Sequence, residues 1–187
     1  MRAARPWPGG GLRQRAHRDQ RARLLRRPAF RRVNDRLAET LPDGRFVIAF
    51  IGLLDPATHR LRFLSGGQGP ILHLRATQGA CSVHRATRFP LGAAPLQDMR
   101  PAVDLALEPG DWLVLLSDGV FEAANAGGEQ FGRARVERLL QELHAGTPAA
   151  LSGRLMQAVR AHAGAAPQDD DITAVLIRRR ADSRLAL

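Results

Sequence analysis

The chain has no lysine, a single cysteine and no apolar run long enough to cross a bilayer, and each shortage removes a class of answer. All 28 basic residues are arginine, a bias that fits codon usage in the source better than recognition chemistry. Cys81 stands alone, so an internal disulfide and a cysteine zinc cluster are both excluded. It reads as a small packing residue, because no base that would activate it as a nucleophile is identifiable. The longest apolar runs, Phe46 to Leu54 and Trp112 to Leu116, fall far short of the roughly 18–20 residues a membrane helix needs. No apolar segment of a secretory signal follows the arginine-rich start, which makes the cytoplasm the expected location. The six histidines (His17, His59, His73, His84, His144 and His162) are scattered, and none forms the H-x-x-x-H pair that helical zinc sites use.

What is present suffices for one domain. The 187 residues are 44% hydrophobic, close to the globular average. The net charge of +10 invites a nucleic-acid reading, but residues 1–36 hold 12 arginines against Asp19 and Asp35, while residues 37–187 hold 16 arginines against 16 acids. The excess is thus confined to the first fifth of the chain, and nucleic acid is not the expected partner. Residues 1–27, rich in Arg, Pro and Gly, read as a disordered or non-native start. Residues 28–180 read as the folded domain and 181–187 as a tail.

Within that domain, Phe30, Val33, Leu37 and Leu41 are spaced for one face of a helix. The run from Arg45 to Leu54 suits a strand buried on both faces, forming a hairpin with Arg60 to Leu64 across Asp55-Pro56. Pro70 to Arg75 and Ala80 to Ala86 form a second strand pair, on which His73 and His84 can meet. Val103 to Leu107 and Asp111 to Ser117 flank the reversal Glu108-Pro109-Gly110, with Asp111 setting the turn. Two helices follow, Gly132 to Ala145 and one opened by Thr147-Pro148, an N-cap with proline at the first helical position. His162 sits on the apolar face of the second. The last strand runs from Ile172 to Arg178.

Two strand ends carry the chemistry. Leu113-Val114-Leu115-Leu116-Ser117-Asp118-Gly119 stops an apolar run on a carboxylate, and Asp169-Asp170-Asp171-Ile172-Thr173 opens the next strand on an acidic cluster. Either alone is ordinary turn chemistry. Together they favour a site for a hard divalent cation, because carboxylates at the ends of buried strands sit on a rigid scaffold. Glu122 lies close enough to Asp118 to reach such a site, though an exposed loop carboxylate accounts for it equally well, and Asp169 reads as part of the loop rather than as a third carboxylate.

Five motifs stand in register: Pro90-Leu91-Gly92, Pro109-Gly110-Asp111, Ser117-Asp118-Gly119-Val120-Phe121-Glu122-Ala123, Phe131-Gly132 and Asp170-Asp171-Ile172-Thr173. This order resembles the bacterial metal-dependent serine/threonine protein phosphatases (PPM-type), in the stage II sporulation E / sigma-regulator phosphatase branch, over residues 28–180. The resemblance implies an α+β fold, a partial four-layer α-β-β-α sandwich of two antiparallel sheets flanked by helices. It also implies that Asp118 and Asp170 bind Mg²⁺ or Mn²⁺, that Asp171 orients the site or holds a metal-bound water, and that Gly119 gives the backbone room. The implied reaction is hydrolysis of phosphoserine or phosphothreonine by in-line attack of an activated water, without a phosphoenzyme. The implied partner is a phosphoprotein, such as an antagonist of an anti-sigma factor.

Two departures qualify the resemblance. Ser65-Gly66-Gly67-Gln68-Gly69-Pro70 replaces the family's Asn-Ala-Gly-His pattern, and no N-terminal Gly-Asp strand supplies the carboxylate that bridges two metals. Asp19 lies in an arginine-rich stretch and Asp35 on the polar side of a helix. At most one ion is therefore well supported, and the missing strands predict an exposed sheet edge, an uncovered apolar face and self-association. The enzyme reading has an alternative, a catalytically inactive phosphatase-like module that binds a regulatory phosphoprotein.

Overall fold

A computed structural model describes residues 27–96 and 100–180; the proposed arginine-rich start, Asp19 and the tail after residue 180 lie outside the described residues, apart from Arg27. Helix α1 spans Arg27–Thr40, and strands β1 (Ala49–Asp55), β2 (Arg60–Gly66), β3 (Ile71–Arg75), β4 (Ala80–His84), β5 (Val103–Ala106) and β6 (Trp112–Leu116) follow. Then come a single helical turn α2 (Asp118–Phe121), helices α3 (Gly132–Leu143) and α4 (Pro148–Ala163), and strand β7 (Ala174–Arg178). The strands form two sheets, ordered β1-β2-β5 and β4-β3-β6-β7, in which every ladder is antiparallel.

Alternation along the strands sorts the side chains into three apolar layers. On β6, Leu113 and Leu115 point between the sheets, where they meet Leu61 and Phe63 of β2 and Ile71 of β3. Trp112, Val114 and Leu116 point the other way, onto Val136 and Leu140 of α3 and Leu151, Leu155 and Val159 of α4. Beyond the first sheet, Phe30 of α1 packs with Leu64, Leu91 and Leu96. Helix, sheet, sheet and helices therefore stack in four layers, as the resemblance implies. Thr147 caps α4 by accepting a hydrogen bond from the Ala150 amide, with Pro148 in the first turn, as read from the sequence. No helix among the described residues is long and apolar enough to cross a membrane.

Two expectations change. The run from Arg45 is not a doubly buried strand: β1 begins only at Ala49 and lies at a sheet edge, while Phe46 and Ile48 are 52% and 49% exposed. Val47 is held instead by an isolated antiparallel bridge to Leu91, both bonds 2.8 Å. The Glu108-Pro109-Gly110 turn forms as expected, the Asp111 amide donating to the Glu108 carbonyl at 3.0 Å, and it carries the chain from one sheet to the other, since β5 pairs with β2 and β6 with β3. On α1 the buried stripe runs through Phe30 and Asn34 rather than Val33, which is 47% exposed.

The edge strand β7 carries two partly exposed apolar side chains. Val175 and Ile177 pair directly with Leu115 and Leu113 and so share their face. Yet they are 46% and 36% exposed, where Leu113 is fully buried.

Candidate active site

Strands β6 and β7 end side by side, and one hydroxyl fastens them. The Ser117 Oγ donates to the carbonyl of Asp171 at 2.8 Å and accepts from the amide of Thr173 at 2.9 Å, while the Ser117 amide donates to the Thr173 carbonyl at 2.9 Å. This clasp extends the ladder one step past its last register pair, Leu116↔Ala174. Sequence reasoning passed over Ser117, and only its place before Asp-Gly hinted at a role.

Gly119 allows the two ends to touch. A Cβ on Gly119 would stand 2.5 Å from the Asp171 carbonyl oxygen and 3.2 Å from that of Asp170. The space that glycine leaves is thus filled by the backbone of the acidic cluster. Asp118 begins α2, and its carbonyl accepts from the Glu122 amide at 2.8 Å. Asp170 is braced locally, its Oδ1 accepting from the Asp171 amide at 2.7 Å.

The two carboxylate residues border adjoining hollows. Asp118 lines a cleft of about 820 Å³ with Phe46, Ile48, Gly67, Phe89 and Pro95. Asp170 lines a hollow of about 390 Å³ with Glu122, Gln130, Arg160 and Asp169, and Gly119 lies on its wall. Gln68, in the loop that departs from the family pattern, donates from Nε2 to the carbonyl of Leu116 at 2.9 Å. It therefore ties the glycine loop to the strand end that presents Asp118. The same loop is closed by the Ser65 hydroxyl, which donates to the Gln68 carbonyl.

Asn34 fixes the opposite wall. Its Oδ1 accepts from the Gly92 amide at 3.0 Å and its Nδ2 donates to the Ala94 carbonyl at 3.2 Å. Gly92 has φ of +82° and a Cβ there would meet Leu37 and Leu41, which explains glycine in Pro90-Leu91-Gly92.

The remaining sequence candidates take structural places. Asp111 is 1% exposed and sets its turn, accepting from the Ala76 and Glu108 amides at 3.0 and 2.9 Å, and it also pairs with His73 Nε2 at 3.0 Å. His73 and His84 do meet, their rings stacked with centroids 6.4 Å apart. Burial, then the neighbouring His73 and Arg75 charges, pushes His84 below the usual imidazole range. Burial, then the Glu137 charge, raises Cys81 to about 11, which keeps it a protonated thiol packed against the helix-side core. His162 is half-buried, its ring edge on Phe131 and its Nε2 2.8 Å from the Glu129 carbonyl. His59 occupies its turn with φ of +53°. Asp35 is exposed on α1 near Arg31.

A metal must be judged against these donors. Among the described residues no three His, Cys, Asp or Glu side chains cluster into a ready cage. Mg²⁺, however, is commonly bound through one or two carboxylates with waters completing the shell. Asp118 and Asp170 stand on strand ends held together by the Ser117 bonds and the Gly119 contact, but they line different hollows, and a bridged pair of ions lacks its donors among the described residues.

Comparison with known proteins bears on the family and the fold. A family model described as Stage II sporulation protein E (SpoIIE) matches residues 12–180, reaching back into the arginine-rich stretch. Protein IcfG of Synechocystis sp. is 29% identical over 154 residues, which is 81% of this chain and 24% of that protein. The chain thus spans about a quarter of the length of this curated relative. Among solved structures, the PP2C phosphatase domain of SpoIIE with a fragment of its regulatory domain, from Bacillus subtilis, superposes with a TM-score of 0.67 at 23% identity, covering 91% of this chain and 51% of that one. The SiaA-PP2C domain of Pseudomonas aeruginosa gives 0.66 at 20% identity, covering 78% and 56%.

Proposed function

The chain belongs to the stage II sporulation protein E family, and on that premise we propose that it is a metal-dependent phosphatase domain that hydrolyses phosphoserine or phosphothreonine on a protein partner. The observation that carries this reading is the Ser117 clasp with the Gly119 contact, which brings the Asp118 and Asp170 strand ends together. These bonds hold in place the two strand ends on which the carboxylates of such an ion site would stand.

In this reading Mg²⁺ or Mn²⁺ is held by the carboxylates of Asp118 and Asp170, and when bound it supplies charge neutralisation at the phosphoryl oxygens and an acidified water. Ser117 and Gly119 fix the distance between the two strand ends. Asp171 turns its carbonyl to Ser117 and its amide to the Asp170 carboxylate, orienting that group. Gln68 steadies the last carbonyl of β6, directly before Ser117. The partner is a phosphoprotein, of which an anti-sigma-factor antagonist is the candidate class.

A second reading, an inactive module that binds a regulatory phosphoprotein, is favoured by the incomplete donor set among the described residues. Hydrolysis of p-nitrophenyl phosphate at rising Mn²⁺ separates the two. Turnover that Asp118→Asn and Asp170→Asn each abolish supports the enzyme. No turnover at any metal concentration, with a phosphopeptide still bound, supports the module.

A further inference from the structure

Three of the exposed large apolar side chains gather at one place, the cleft that Asp118 borders. Phe89 is 74% exposed, Phe46 52% and Ile48 49%, and all three line that cleft. The Val47–Leu91 bridge holds Phe46 and Ile48 on one face, because alternate residues of an extended segment point the same way. The facing wall is stiff: Asn34 grips its backbone at Gly92 and Ala94, and Pro90 and Pro95 have fixed φ. Contiguous exposed apolar surface of this kind marks an interaction site.

Charge indicates what would fill it. Asp118 is the one acid among the described lining residues, against Arg88 and Arg100. Arg88 is buried, lies 5.4 Å from the Phe30 ring centroid and donates to the Arg100 carbonyl at 2.6 Å, while Arg100 itself is exposed at the rim. The cleft therefore offers apolar contacts and a guanidinium alongside the carboxylate proposed to hold the ion. That combination suits neither a plain hydrocarbon surface nor a free phosphate.

We infer that this cleft docks an extended segment of the phosphoprotein substrate that carries a large apolar side chain next to its phosphorylated residue. The inference rests on the phosphatase reading above. The apolar neighbour sits among Phe46, Ile48 and Phe89, and the phosphate lies toward Asp118 and Arg100. Such a groove selects among protein substrates by what flanks the phosphoresidue, and ignores small phosphomonoesters that have no flank.

Three fluorescein-labelled decapeptides test this by anisotropy in Mn²⁺, with the non-hydrolysable phosphonate analogue of phosphoserine so that no turnover intervenes: the analogue flanked by Leu and Phe, the analogue flanked by Ser, and the Leu/Phe peptide with plain serine. The first is expected to bind roughly tenfold tighter than either other, the effect of burying one large apolar side chain or of one charged contact. Phe89→Ser and Phe46→Ser, both at exposed positions, are each expected to reduce the apolar preference to about threefold or less, as fits the loss of part of one apolar contact. Equal affinities, or a preference that survives both substitutions, overturn the proposal. So does sedimentation showing a dimer that Phe89→Ser disrupts, or adsorption to phosphatidylglycerol vesicles that Phe89→Ser abolishes, since the cleft then serves another occupant. Mn²⁺-dependent turnover of p-nitrophenyl phosphate is measured alongside: turnover without peptide preference sinks only the docking site, and preference without turnover sinks only the phosphatase reading.

Discussion

Replacing Gly119 by alanine puts two opposed effects on one residue, and their sum tests how tightly the strand ends are joined. Gly119 has no positive φ to protect, so space alone is at issue. Inside the helical turn α2, glycine to alanine should stabilise by about 0.5–1 kcal/mol through backbone entropy. Against this, the new Cβ would lie 2.5 Å from the Asp171 carbonyl oxygen and 3.1 Å from its carbon. Both are backbone atoms, and the oxygen is already engaged by Ser117, so neither can swing aside as a flexible side chain would. Overpacking of this kind costs about 1–3 kcal/mol, and a backbone clash belongs in the upper half of that range. A net loss of about 1–2 kcal/mol is expected, read as a lower urea midpoint with an unchanged slope. Phosphatase activity should fall further than stability does, because the displaced segment carries Asp170. Gly153 in α4 is the control: nothing lies within 4 Å of its Cβ position, so Gly153→Ala should stabilise by up to about 1 kcal/mol. If Gly119→Ala matches Gly153→Ala in sign and leaves activity alone, the two strand ends are not in the contact described and the argument for a shared site fails.

Two further outcomes follow from buried groups. Asp111→Ala strips two backbone amides and His73 of their common acceptor in a site that is 1% exposed, and should destabilise by about 3–5 kcal/mol in urea unfolding; a loss below about 1 kcal/mol, the worth of an exposed pair, would show that the pair is solvated. His84 is held below its ordinary range by burial, so the unfolded chain takes up protons first as pH falls. Its contribution is complete above the unfolded imidazole value, about 6.5, and is lost progressively as pH drops below it. Urea midpoints should therefore decline from pH 7 to pH 5, and His84→Gln should flatten that decline; an unaltered slope would assign the pH dependence to other groups.

Elements whose partners are near in sequence were legible, and those whose partners are remote were not. The β1-β2 and β3-β4 hairpins follow from short turns between alternating runs, and Thr147-Pro148 announces the start of α4 by local capping chemistry. The Glu108-Pro109-Gly110 turn was legible, but not where it leads, because Pro-Gly makes the same tight turn whether the chain stays in its sheet or crosses to the other. Phe46 to Ile48 looked like core because a continuous apolar run does not tell a doubly buried strand from an edge segment lining a cleft. Asn34 escaped because a buried amide one position from Val33 leaves the helical pattern almost unchanged, and its partners lie some 60 residues on. For the candidate site, the Asp118 and Asp170 strand ends were visible as motifs. The Ser117 clasp was not, since it joins residues 54 and 56 positions apart and no local pattern records it.

The two sides of the candidate site are held in different ways, and this divides their work. All five residues of β6 are buried and the strand is paired on both sides, so Ser117 and Asp118 start from a base that cannot shift without breaking two ladders. β7 is an edge strand with alternate residues exposed, and the position of Asp170 relative to Asp118 therefore depends on the β6 ladder, the Ser117 hydroxyl and the Gly119 contact. The ion site proposed above would need this side of the molecule to stay rigid. The cleft wall is attached by the two-bond bridge at Val47, by the side chain of Asn34, and by Ser65 and Gly67, which bond the Thr87 hydroxyl and the Arg88 carbonyl. Its apolar side chains face solvent and contribute little to the core, so they can be exchanged with small effect on stability. A change of protein partner can then arise at Phe46, Ile48 and Phe89 while the clasp that aligns the two strand ends stays intact.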